Sequence, residues 1–381
     1  MKSDDFTNPA GALTVTPEGA LAFVPAPLPP ALSADWSLAS SLAKAERAVG
    51  KLAGIGHNLP NPHLLIRPFV RREAVLSSRI EGTQASVGDL LLFEVAGAPE
   101  SNQTDVREVA NYIAALDYGR ARLGDLPISL RFLREVHARL LAGVRGEERA
   151  PGEFRRIQNW IGASGCTLRE ASYVPPPVPD MERALDAFER YLHAHSDMPL
   201  LLRCALIHYQ FEAIHPFLDG NGRVGRLLMT FLLESESVLE QPLLYLSAYF
   251  ERNHADYYAL LLDVSRRSAW REWIDFFLRG VAEQAVDASE RAHTMLTLWK
   301  SFRDRVTTAR SSALLTAMID DLFASPATTI ARVRDRFNIT YPSAKNNVEK
   351  LVDLGILTPP DTEGRNRIFV ASEIIRTVEA P

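Results

Sequence analysis

Residues 215–226 read His-Pro-Phe-Leu-Asp-Gly-Asn-Gly-Arg-Val-Gly-Arg, and this stretch decides the fold. Residues 200–214 before it are apolar nearly all round, which is typical of a buried helix. Residues 227–232 after it carry the apolar stripe of a second helix. Pro216 disfavours a helix that continues through His215. The sequence therefore predicts a loop between two core helices, opening at a helix N-terminus.

Glycines and arginines in this loop indicate an anion site. Gly220, Gly222 and Gly225 let the backbone approach a ligand closely and adopt conformations that other residues avoid. Successive amide N–H groups that lead into a helix form an anion-binding concavity. Arg223 and Arg226 project from the same face of the first helical turn, and a guanidinium binds phosphate oxygens in a bidentate way. The pattern therefore favours a ligand with phosphate groups.

Asp219 and His215 add groups that a reaction needs. Asp219 offers a hard oxygen ligand for Mg²⁺ held between phosphates. His215 titrates near neutrality and can take a proton from an incoming hydroxyl, while Phe217 is expected as a core anchor. Taken singly, these residues have structural alternatives: a loop histidine, a Gly-Asn-Gly turn, arginines on a solvated face, a capping aspartate. Because all fall within twelve positions at a helix start, the sequence favours a nucleoside triphosphate site with its own general base.

The stretch resembles the signature of the Fic family, H-x-F-x-[D/E]-G-N-G-R-x-x-R, at every specified position. The resemblance implies an all-α core that transfers AMP from ATP to a Ser, Thr or Tyr hydroxyl of a protein. His215 would then activate the hydroxyl, and Asp219 would position Mg²⁺. Attack at the α-phosphorus would release pyrophosphate. The nucleotide-binding residues that it implies here are Gly220, Asn221, Gly222, Arg223, Val224, Gly225 and Arg226.

Residues 156–162 (Arg-Ile-Gln-Asn-Trp-Ile-Gly) resemble the family's flap, a β-hairpin over the nucleotide that also docks the target segment in extended form. The second half of this hairpin is expected at residues 171–174. The alternative is an ordinary surface hairpin with Trp160 as a core anchor. In the flap interpretation, the residues nearest the ligand are Asn159, Trp160, Ile161 and Gly162.

Two adjacent tyrosines, Tyr257 and Tyr258, resemble the paired tyrosines that line the family's adenine site. Tyr258 is the preferred candidate, because an aromatic face stacks on a base. The alternative is that both are plain core aromatics. Some relatives place an adenine-binding Asn seven residues after the second tyrosine. This chain has Ser265 there, which puts that contact in doubt.

Residues 77–82 (Ser-Ser-Arg-Ile-Glu-Gly) end a helix predicted to start near Pro68, a residue favoured in the first helical turn. On its own, Glu81 is a charged helix-end residue before a C-terminal glycine. The spacing from Ser77 to Glu81 resembles the inhibitory motif of Fic proteins whose brake lies N-terminal to the core. That resemblance implies that Glu81 pairs with Arg226 and blocks the seat of the γ-phosphate. In some relatives this glutamate supports AMP removal, so the reverse reaction stays open.

Residues 311–381 resemble a winged helix-turn-helix, with helices predicted at 328–337 and Pro342–Leu354 and a short hairpin at 366–370. Eight basic and nine acidic residues give this segment a net charge of −1. Because DNA affinity depends on neutralising phosphates, DNA binding is weakly supported, and contact with protein is at least as favoured. In the second helix, Ala344, Val348, Leu351 and Val352 are expected to face inward, and Ser343, Asn346, Asn347 and Lys350 outward.

The chain has 381 residues, of which 46% are hydrophobic and 23% charged, with a net charge of −5. This length predicts two or three domains with substantial cores, and the mild acidity argues against a surface that grips nucleic acid or anionic membrane over most of its area. Cys166 and Cys204 are too few for a disulfide framework or a four-cysteine zinc site. Because neither a signal peptide nor a stretch of roughly 20 apolar residues is evident, a cytoplasmic protein is expected.

We expect a mainly α protein with a Fic-type helical core, a small β-hairpin flap and a C-terminal winged helix-turn-helix. Four parts are predicted: an N-terminal arm, extended to about residue 34, with the inhibitory helical region (1–100); the catalytic core (101–280); a connecting helix (281–310); and the winged segment (311–381). A homodimer fits the resemblance. AMP transfer is the leading hypothesis, against AMP removal or a transcriptional regulator that senses nucleotide. His215 favours catalysis, because binding alone needs no base.

Overall fold

The computed structural model describes residues 1–57, 63–96, 103–163, 165–308, 313–359 and 367–379. Helices dominate these residues, which confirms the mainly α class. Two short antiparallel strand pairs accompany them, β1 (Gly11–Val15) with β2 (Leu21–Pro25) and β3 (Ala327–Thr328) with β4 (Phe369–Val370). The described helices are α1 (Trp36–His57), α2 (His63–Ile80), α3 (Val87–Ala96), α4 (Gln103–Arg122), α5 (Leu130–Leu140), α6 (Val178–His193), α7 (Leu200–Ile214), α8 (Asn221–Ser235), α9 (Ser247–Arg252), α10 (His254–Arg267), α11 (Trp270–Thr308), α12 (Ala313–Ala324), α13 (Ile330–Phe337), α14 (Tyr341–Asp353) and α15 (Ser372–Glu379).

Residue contacts divide the chain into two compact units. Unit 1 comprises residues 1–50, 111–239 and 244–285, and unit 2 comprises residues 51–110, 240–243 and 286–381. The four-part domain division drawn from the sequence stays a prediction. Within the described residues, no helix is both long and apolar enough to cross a membrane.

Helix α7 is the centre of unit 1. Nearly all of its residues are buried, as its mainly apolar sequence predicts, and α6, α8, α10 and β2 pack against it. The Trp273 side chain is fully buried beside it and donates from Nε1 to the Ala205 carbonyl at 2.9 Å. This bond satisfies the one polar atom of a large buried indole. Burial of α7 on all sides fixes the two ends of the helix, and its C-terminal end leads directly into the loop at residues 215–220.

The N-terminal region is not the extended arm predicted for residues 1–34. Strands β1 and β2 form a hairpin in register from Gly11 opposite Pro25 to Val15 opposite Leu21, and Gly19 in the connecting turn has φ 79°. Phe23 in β2 is fully buried against Phe6 and Tyr173. The strand-like alternation of side chains in β1 and in β2 spans only five residues between prolines, so the Pro-rich composition of this region favoured an extended arm in the sequence analysis.

The predicted flap hairpin is only partly β-structured. A single antiparallel bridge joins Ile161 to Tyr173, with the Ile161 N–H donating to the Tyr173 carbonyl at 2.9 Å. The chain on either side of this bridge is irregular, although the two segments do pair as the sequence predicts. Ser164, between them, lies outside the described residues.

In unit 2, helix α2 packs on α3, α12 and α15. The predicted start near Pro68 is wrong: the helix begins at His63, so Pro68 lies inside it, one turn from its N-terminus. The Arg71 guanidinium is buried and binds both carboxylate oxygens of Glu94 on α3, with Nη2 at 2.8 Å from Oε2. Its Nη1 donates to the carbonyl of Ala324, the last residue of α12, at 2.7 Å. Arg71 thus joins α2 to two neighbouring helices.

The C-terminal segment of unit 2 contains α12, β3, α13, α14, β4 and α15 in that order. Thr329 and Thr340 cap α13 and α14, and each side chain accepts an N–H of the first helical turn. Ala344, Val348 and Leu351 are buried as predicted, but Asn347, expected on the outer face, is also buried and donates to the Ser343 carbonyl at 2.7 Å. Of the hairpin predicted at 366–370, only residue 366 lies outside the described residues; β4 pairs with β3, and an isolated antiparallel bridge joins Thr358 to Val370. The winged-helix assignment stays a prediction.

Candidate functional site

Residues 215–220 form a loop between α7 and α8, and residues 221–226 are the first turns of α8, in agreement with the predicted loop that opens at a helix N-terminus. His215 ends α7 in the left-handed region, with φ 49° and ψ 61°, and its N–H donates to the Phe211 carbonyl at 3.0 Å. Gly220 precedes α8 with φ 76°, a conformation that glycine adopts without strain. A non-glycine residue in the left-handed region is uncommon and strained, so the surrounding contacts must hold His215 in place.

The imidazole of His215 is oriented by its own helix. Its Nδ1 lies 3.3 Å from the main-chain carbonyl of Glu212, and 4.0 Å from the Glu212 carboxylate. A carbonyl can only accept a hydrogen bond, so Nδ1 carries the hydrogen and a neutral ring has its basic lone pair on Nε2. This arrangement suits a general base. Glu212 was missed in the sequence analysis, although a carboxylate in a mainly apolar buried helix, three residues before His215, was its signal.

Arg223 and Arg226 in the first turns of α8 are buried, at 1% and 2% exposed. The alternative interpretation, that these two arginines lie on a solvated helix face, is therefore wrong. Arg223 Nη2 lies 3.6 Å from Asp219 Oδ1. Burying two guanidinium groups is unfavourable unless anionic or dipolar groups surround them. Two such cations at the start of a helix, where N–H groups also point outward, form a strongly anion-attracting site.

Asn221 ties the loop to itself. Its Oδ1 accepts the Phe217 N–H at 2.9 Å, and its Nδ2 donates to the Phe217 carbonyl at 2.9 Å. Phe217 is fully buried, so it is the anchor that the sequence predicts. Because both ends of the Asn221 side-chain amide are engaged, its contribution to the predicted phosphate contact would come from the main chain. Val224 is also fully buried, so only its main chain can serve a ligand.

Asp219 is more exposed than its neighbours, with 38% of its side chain accessible. Its Oδ1 accepts the Gly220 N–H at 2.6 Å. The other oxygen approaches Gly146, where an added Cβ would lie 2.9 Å from Oδ2, so a glycine is needed at that position. In the part of the chain that the structure describes, no group of three or more His, Cys, Asp or Glu side chains is placed to hold a metal by itself.

His137 on α5 supports the loop and was missed in the sequence analysis. Its ring stacks on Phe217 with centroids 3.8 Å apart. The Gly152 N–H donates to Nδ1 at 2.8 Å, so Nε2 carries the hydrogen and donates to the Asp219 carbonyl at 3.0 Å. Burial lowers the pKa of His137 to about 4, and the Arg223 charge adds to this effect. The ring is therefore neutral and fixed in one tautomer.

Asn159 of the flap segment contacts the loop, whereas the placement of residues 159–162 nearest a bound ligand stays a prediction. Asn159 Nδ2 donates to the carbonyls of Phe217 at 2.9 Å and His215 at 3.3 Å. Trp160 is 42% exposed, so it is not the core anchor of the alternative interpretation; its Nε1 donates to the Cys166 carbonyl at 3.0 Å. Ile161 forms the bridge to Tyr173, and an added Cβ at the following residue, Gly162, would lie 2.5 Å from Cys166 Sγ.

The paired tyrosines on α10 differ in exposure. Tyr257 is buried and its hydroxyl lies 2.8 Å from Nε2 of His208, whereas Tyr258 is 38% exposed. Tyr257 is thus a core aromatic, and Tyr258 keeps the position of the stacking candidate. Ser265 is buried with its hydroxyl 2.9 Å from that of Tyr209, so this hydroxyl is already engaged in the core.

His208 on α7 packs against the motif residues of α8, and the sequence analysis did not identify it. Its Nδ1 is 3.3 Å from the Gly225 carbonyl, and burial lowers its pKa to about 3, with the Arg226 charge as a second cause. At Gly225 an added Cβ would lie 2.5 Å from Glu212 Oε1. The third glycine of the motif therefore allows α7 and α8 to approach each other closely.

The predicted brake residues belong to unit 2. Ser77 is fully buried, and Glu81 follows the last residue of α2. The Gly82 N–H donates to the Arg79 carbonyl and the Thr83 N–H to the Ser78 carbonyl, which is a Schellman C-cap, and Gly82 has φ 96°. The pairing of Glu81 with Arg226 stays a prediction.

Comparison with known proteins identifies the family. The "Fic/DOC family N-terminal" profile matches residues 39–121, and the "Fic/DOC family" profile matches residues 127–233, which include His215 and the whole motif. The chain belongs to the Fic/DOC family. This membership confirms the resemblance read from the motif.

Curated proteins similar to this Fic/DOC family chain include Protein adenylyltransferase Fic of Culex quinquefasciatus, 30% identical over 203 residues (52% of this chain, 37% of that protein). The protein of the same name from Drosophila melanogaster is 36% identical over 129 residues (33% of this chain, 24% of that protein). The chain thus spans about a quarter to a little over a third of these relatives' length.

Solved structures share the fold. A Fic family protein from Desulfovibrio desulfuricans superposes with TM-score 0.57 at 16% identity, over 90% of this chain and 98% of that one. Fic-1 (residues 134–508) from C. elegans superposes with TM-score 0.55 at 22% identity, over 69% of this chain and 74% of that one. At these identities the likeness establishes the fold of this Fic/DOC family protein.

Proposed function

We propose that the protein is a protein adenylyltransferase, which transfers AMP from ATP to a Ser, Thr or Tyr hydroxyl of a target protein or of itself. The observation that carries the proposal is the loop after α7, where His215, held with Nδ1 toward a main-chain carbonyl, precedes two buried arginines at a helix start. A base beside an anion site is what transfer of a charged group to a hydroxyl requires. The names of the curated relatives support the same activity.

Each group has a defined task in this reaction. Arg223 and Arg226, with the main-chain amides of residues 220–222, bind the phosphates of ATP. His215 Nε2 takes the proton of the target hydroxyl as its oxygen attacks the α-phosphorus and pyrophosphate leaves. Tyr258 stacks on the adenine, and flap residues 159–162 dock the target segment. Most of the rate enhancement comes from positioning and from charge neutralisation at the phosphates.

The acidic side chain of the loop fits a Mg²⁺ ion bound together with the nucleotide. Asp219 offers one accessible carboxylate, and Mg²⁺ commonly takes one or two carboxylates plus phosphate oxygens and water. When bound, the ion would neutralise charge on the phosphates. The His137 bond to the Asp219 carbonyl and the Gly220 N–H on Oδ1 hold this carboxylate in place.

Incubation with ATP labelled at the α-phosphate tests the proposal. We expect label on protein in the wild type and none in His215→Ala, which should still bind ATP. His195→Ala is the matched control, because the His195 side chain is 95% exposed. Mass spectrometry then locates the added AMP. Loss of AMP from a premodified protein would instead favour AMP removal, and ATP binding without any label would favour nucleotide sensing.

The brake is the second part of the proposal. Glu81 competes with the γ-phosphate for Arg226, so the wild type transfers AMP slowly and Glu81→Gly transfers it faster. Glu81→Gln, which keeps the size of the side chain and removes its charge, should also be faster, because the competition is between one carboxylate and one phosphate for a guanidinium. Equal labelling rates for the three proteins would contradict the brake.

A further inference from the structure

Arg155 occupies the junction between the flap and the motif loop. It directly precedes residues 156–162 and is 2% exposed, one of the largest fully buried side chains among the described residues. The sequence analysis did not single it out. The side chain of its neighbour Arg156 is 87% exposed, so the two adjacent arginines lie in different environments.

The Arg155 guanidinium donates to three main-chain carbonyls. Nε binds the His215 carbonyl at 3.0 Å, Nη1 binds that of Ile157 at 3.3 Å, and Nη2 binds that of Pro176 at 2.5 Å. The Arg155 N–H adds a bond to the Pro216 carbonyl at 2.9 Å. One side chain therefore holds the motif loop and both ends of the flap, because Ile157 precedes the Ile161–Tyr173 bridge and Pro176 follows it.

The contact with His215 bears on the geometry of the base. The strained left-handed conformation of His215 persists only if its surroundings impose it. Its carbonyl receives two donors, Arg155 Nε at 3.0 Å and Asn159 Nδ2 at 3.3 Å. The backbone angles that direct this carbonyl also set the direction of the Cα–Cβ bond, so the two donors fix where the side chain starts, while the Nδ1 contact with the Glu212 carbonyl orients the ring.

The charge of Arg155 makes these bonds strong. Burial lowers its pKa to about 10, so the guanidinium stays charged at neutral pH. Hydrogen bonds from a charged donor are roughly twice as strong as those between neutral groups. The planar guanidinium also directs its donors in fixed, diverging directions, which a lysine ammonium on a flexible stem cannot reproduce.

We propose that Arg155 is a positioning residue that keeps His215 in register with the flap, and so aligns the base with a hydroxyl docked there. It acts on the transfer step through His215 and not on nucleotide binding. The inference rests on the AMP transfer proposed above, and adds to it a residue that touches neither ATP nor the target.

Three variants test this role: Arg155→Gln, Arg155→Lys and the control Arg183→Gln, whose side chain is 71% exposed on α6. At saturating ATP we expect kcat to fall about 100-fold in Arg155→Gln, the size of effect that a misplacement of about 1 Å produces. The Kd for ATP, measured by calorimetry, should stay near the wild-type value. Arg155→Lys should not restore kcat, and Arg183→Gln should match the wild type.

Hydrogen–deuterium exchange on the same proteins separates this proposal from the proposed function. We expect faster exchange at residues 212–220 in both Arg155 variants, and wild-type exchange in α6 and α10. If the wild type never labels protein, the AMP-transfer function is refuted, while the exchange data still report whether Arg155 holds the loop. Unchanged exchange at residues 212–220 overturns the proposal. So does a Kd for ATP that weakens as much as kcat falls, or faster exchange throughout unit 1.

Discussion

Replacing Gly225 by alanine tests whether the third glycine of the motif serves the packing of α7 on α8. An added Cβ would lie 2.5 Å from Glu212 Oε1 and 3.3 Å from Phe211 Cδ1. The carboxylate must retreat by about 1 Å to reach ordinary contact distance, and the Phe211 ring, fully buried, has little freedom to move. Such overpacking typically lowers the free energy of unfolding by about 1–3 kcal/mol.

Gly50→Ala is the matched control, because we expect it to change the free energy of unfolding in the opposite direction. Gly50 lies inside helix α1 with nothing within 4 Å of an added Cβ, so Gly50→Ala should raise the free energy of unfolding by about 0.5–1 kcal/mol through backbone entropy alone. The same gain in backbone entropy offsets part of the overpacking at Gly225, so the free energy of unfolding of Gly225→Ala should fall by up to about 2.5 kcal/mol.

Urea unfolding of both variants and of the wild type measures these changes. A shift of the urea midpoint with an unchanged m value reports a change in the free energy of unfolding. AMP transfer at saturating ATP is measured in parallel. We expect kcat to fall at least about tenfold in Gly225→Ala, because the Glu212 carboxylate that must move lies 4.0 Å from His215 Nδ1. Gly50→Ala should transfer normally. A Gly225→Ala protein that gains stability as Gly50→Ala does, with unchanged transfer, would refute the packing role.

Three further outcomes are expected. The pKa values of His137 and His208 are about 4 and about 3 in the folded chain, whereas an unfolded histidine titrates near 6.5. Between pH 6.5 and 4, therefore, mainly the unfolded chain takes up protons at these two residues. The free energy of unfolding should fall as the pH drops through this range, by up to about 1.4 kcal/mol per histidine per pH unit. Urea titrations at pH 7 and 5 measure this, with a smaller dependence in His208→Gln. Tyr257→Phe removes the hydroxyl on His208 and should destabilise by about 1–2 kcal/mol with an unchanged KM for ATP, measured by unfolding and kinetics; a large rise in KM would place Tyr257 on the nucleotide. Arg71→Met leaves Glu94 without its bidentate partner and should destabilise by about 3 kcal/mol in urea unfolding; wild-type stability would show that the link is dispensable.

The sequence predicted those parts of the site that one local pattern defines. The loop between two buried helices and the glycine at the start of α8 follow from periodicity and from chemistry within the motif and its flanking residues. Helix α7 even begins and ends at the predicted residues, because an apolar run bounded by prolines leaves few alternatives. Asn221 is the first residue of α8, and the sequence did not reveal that its side chain closes the preceding loop through Phe217.

The parts that the sequence did not reveal depend on distant pairs. Arg155 binds the carbonyl of a residue 60 positions away, and His137 binds one 82 positions away. Both acceptors are main-chain carbonyls, which every residue has, so no residue type marks the partner. A buried arginine next to an exposed one, or a histidine on the inner face of an amphipathic helix, looks ordinary until the tertiary structure brings the loop to it. Asn347 is a different case, because its hydrogen bond to the Ser343 carbonyl is local and satisfies the side-chain amide of a residue that the helical pattern placed outward.

The supporting residues and the arginines of the site should therefore affect different kinetic constants. Asn221, His137 and Arg155 hold the amides and carbonyls of the loop in one conformation without any ligand. Ordering a flexible loop costs about 1–2 kcal/mol per residue, and a loop that is already fixed does not lose that free energy when the transition state forms. Substitutions at these three positions should then lower kcat more than they weaken ATP binding. Arg223 and Arg226 carry the charge that attracts phosphate, so their replacement should first raise the Kd for ATP.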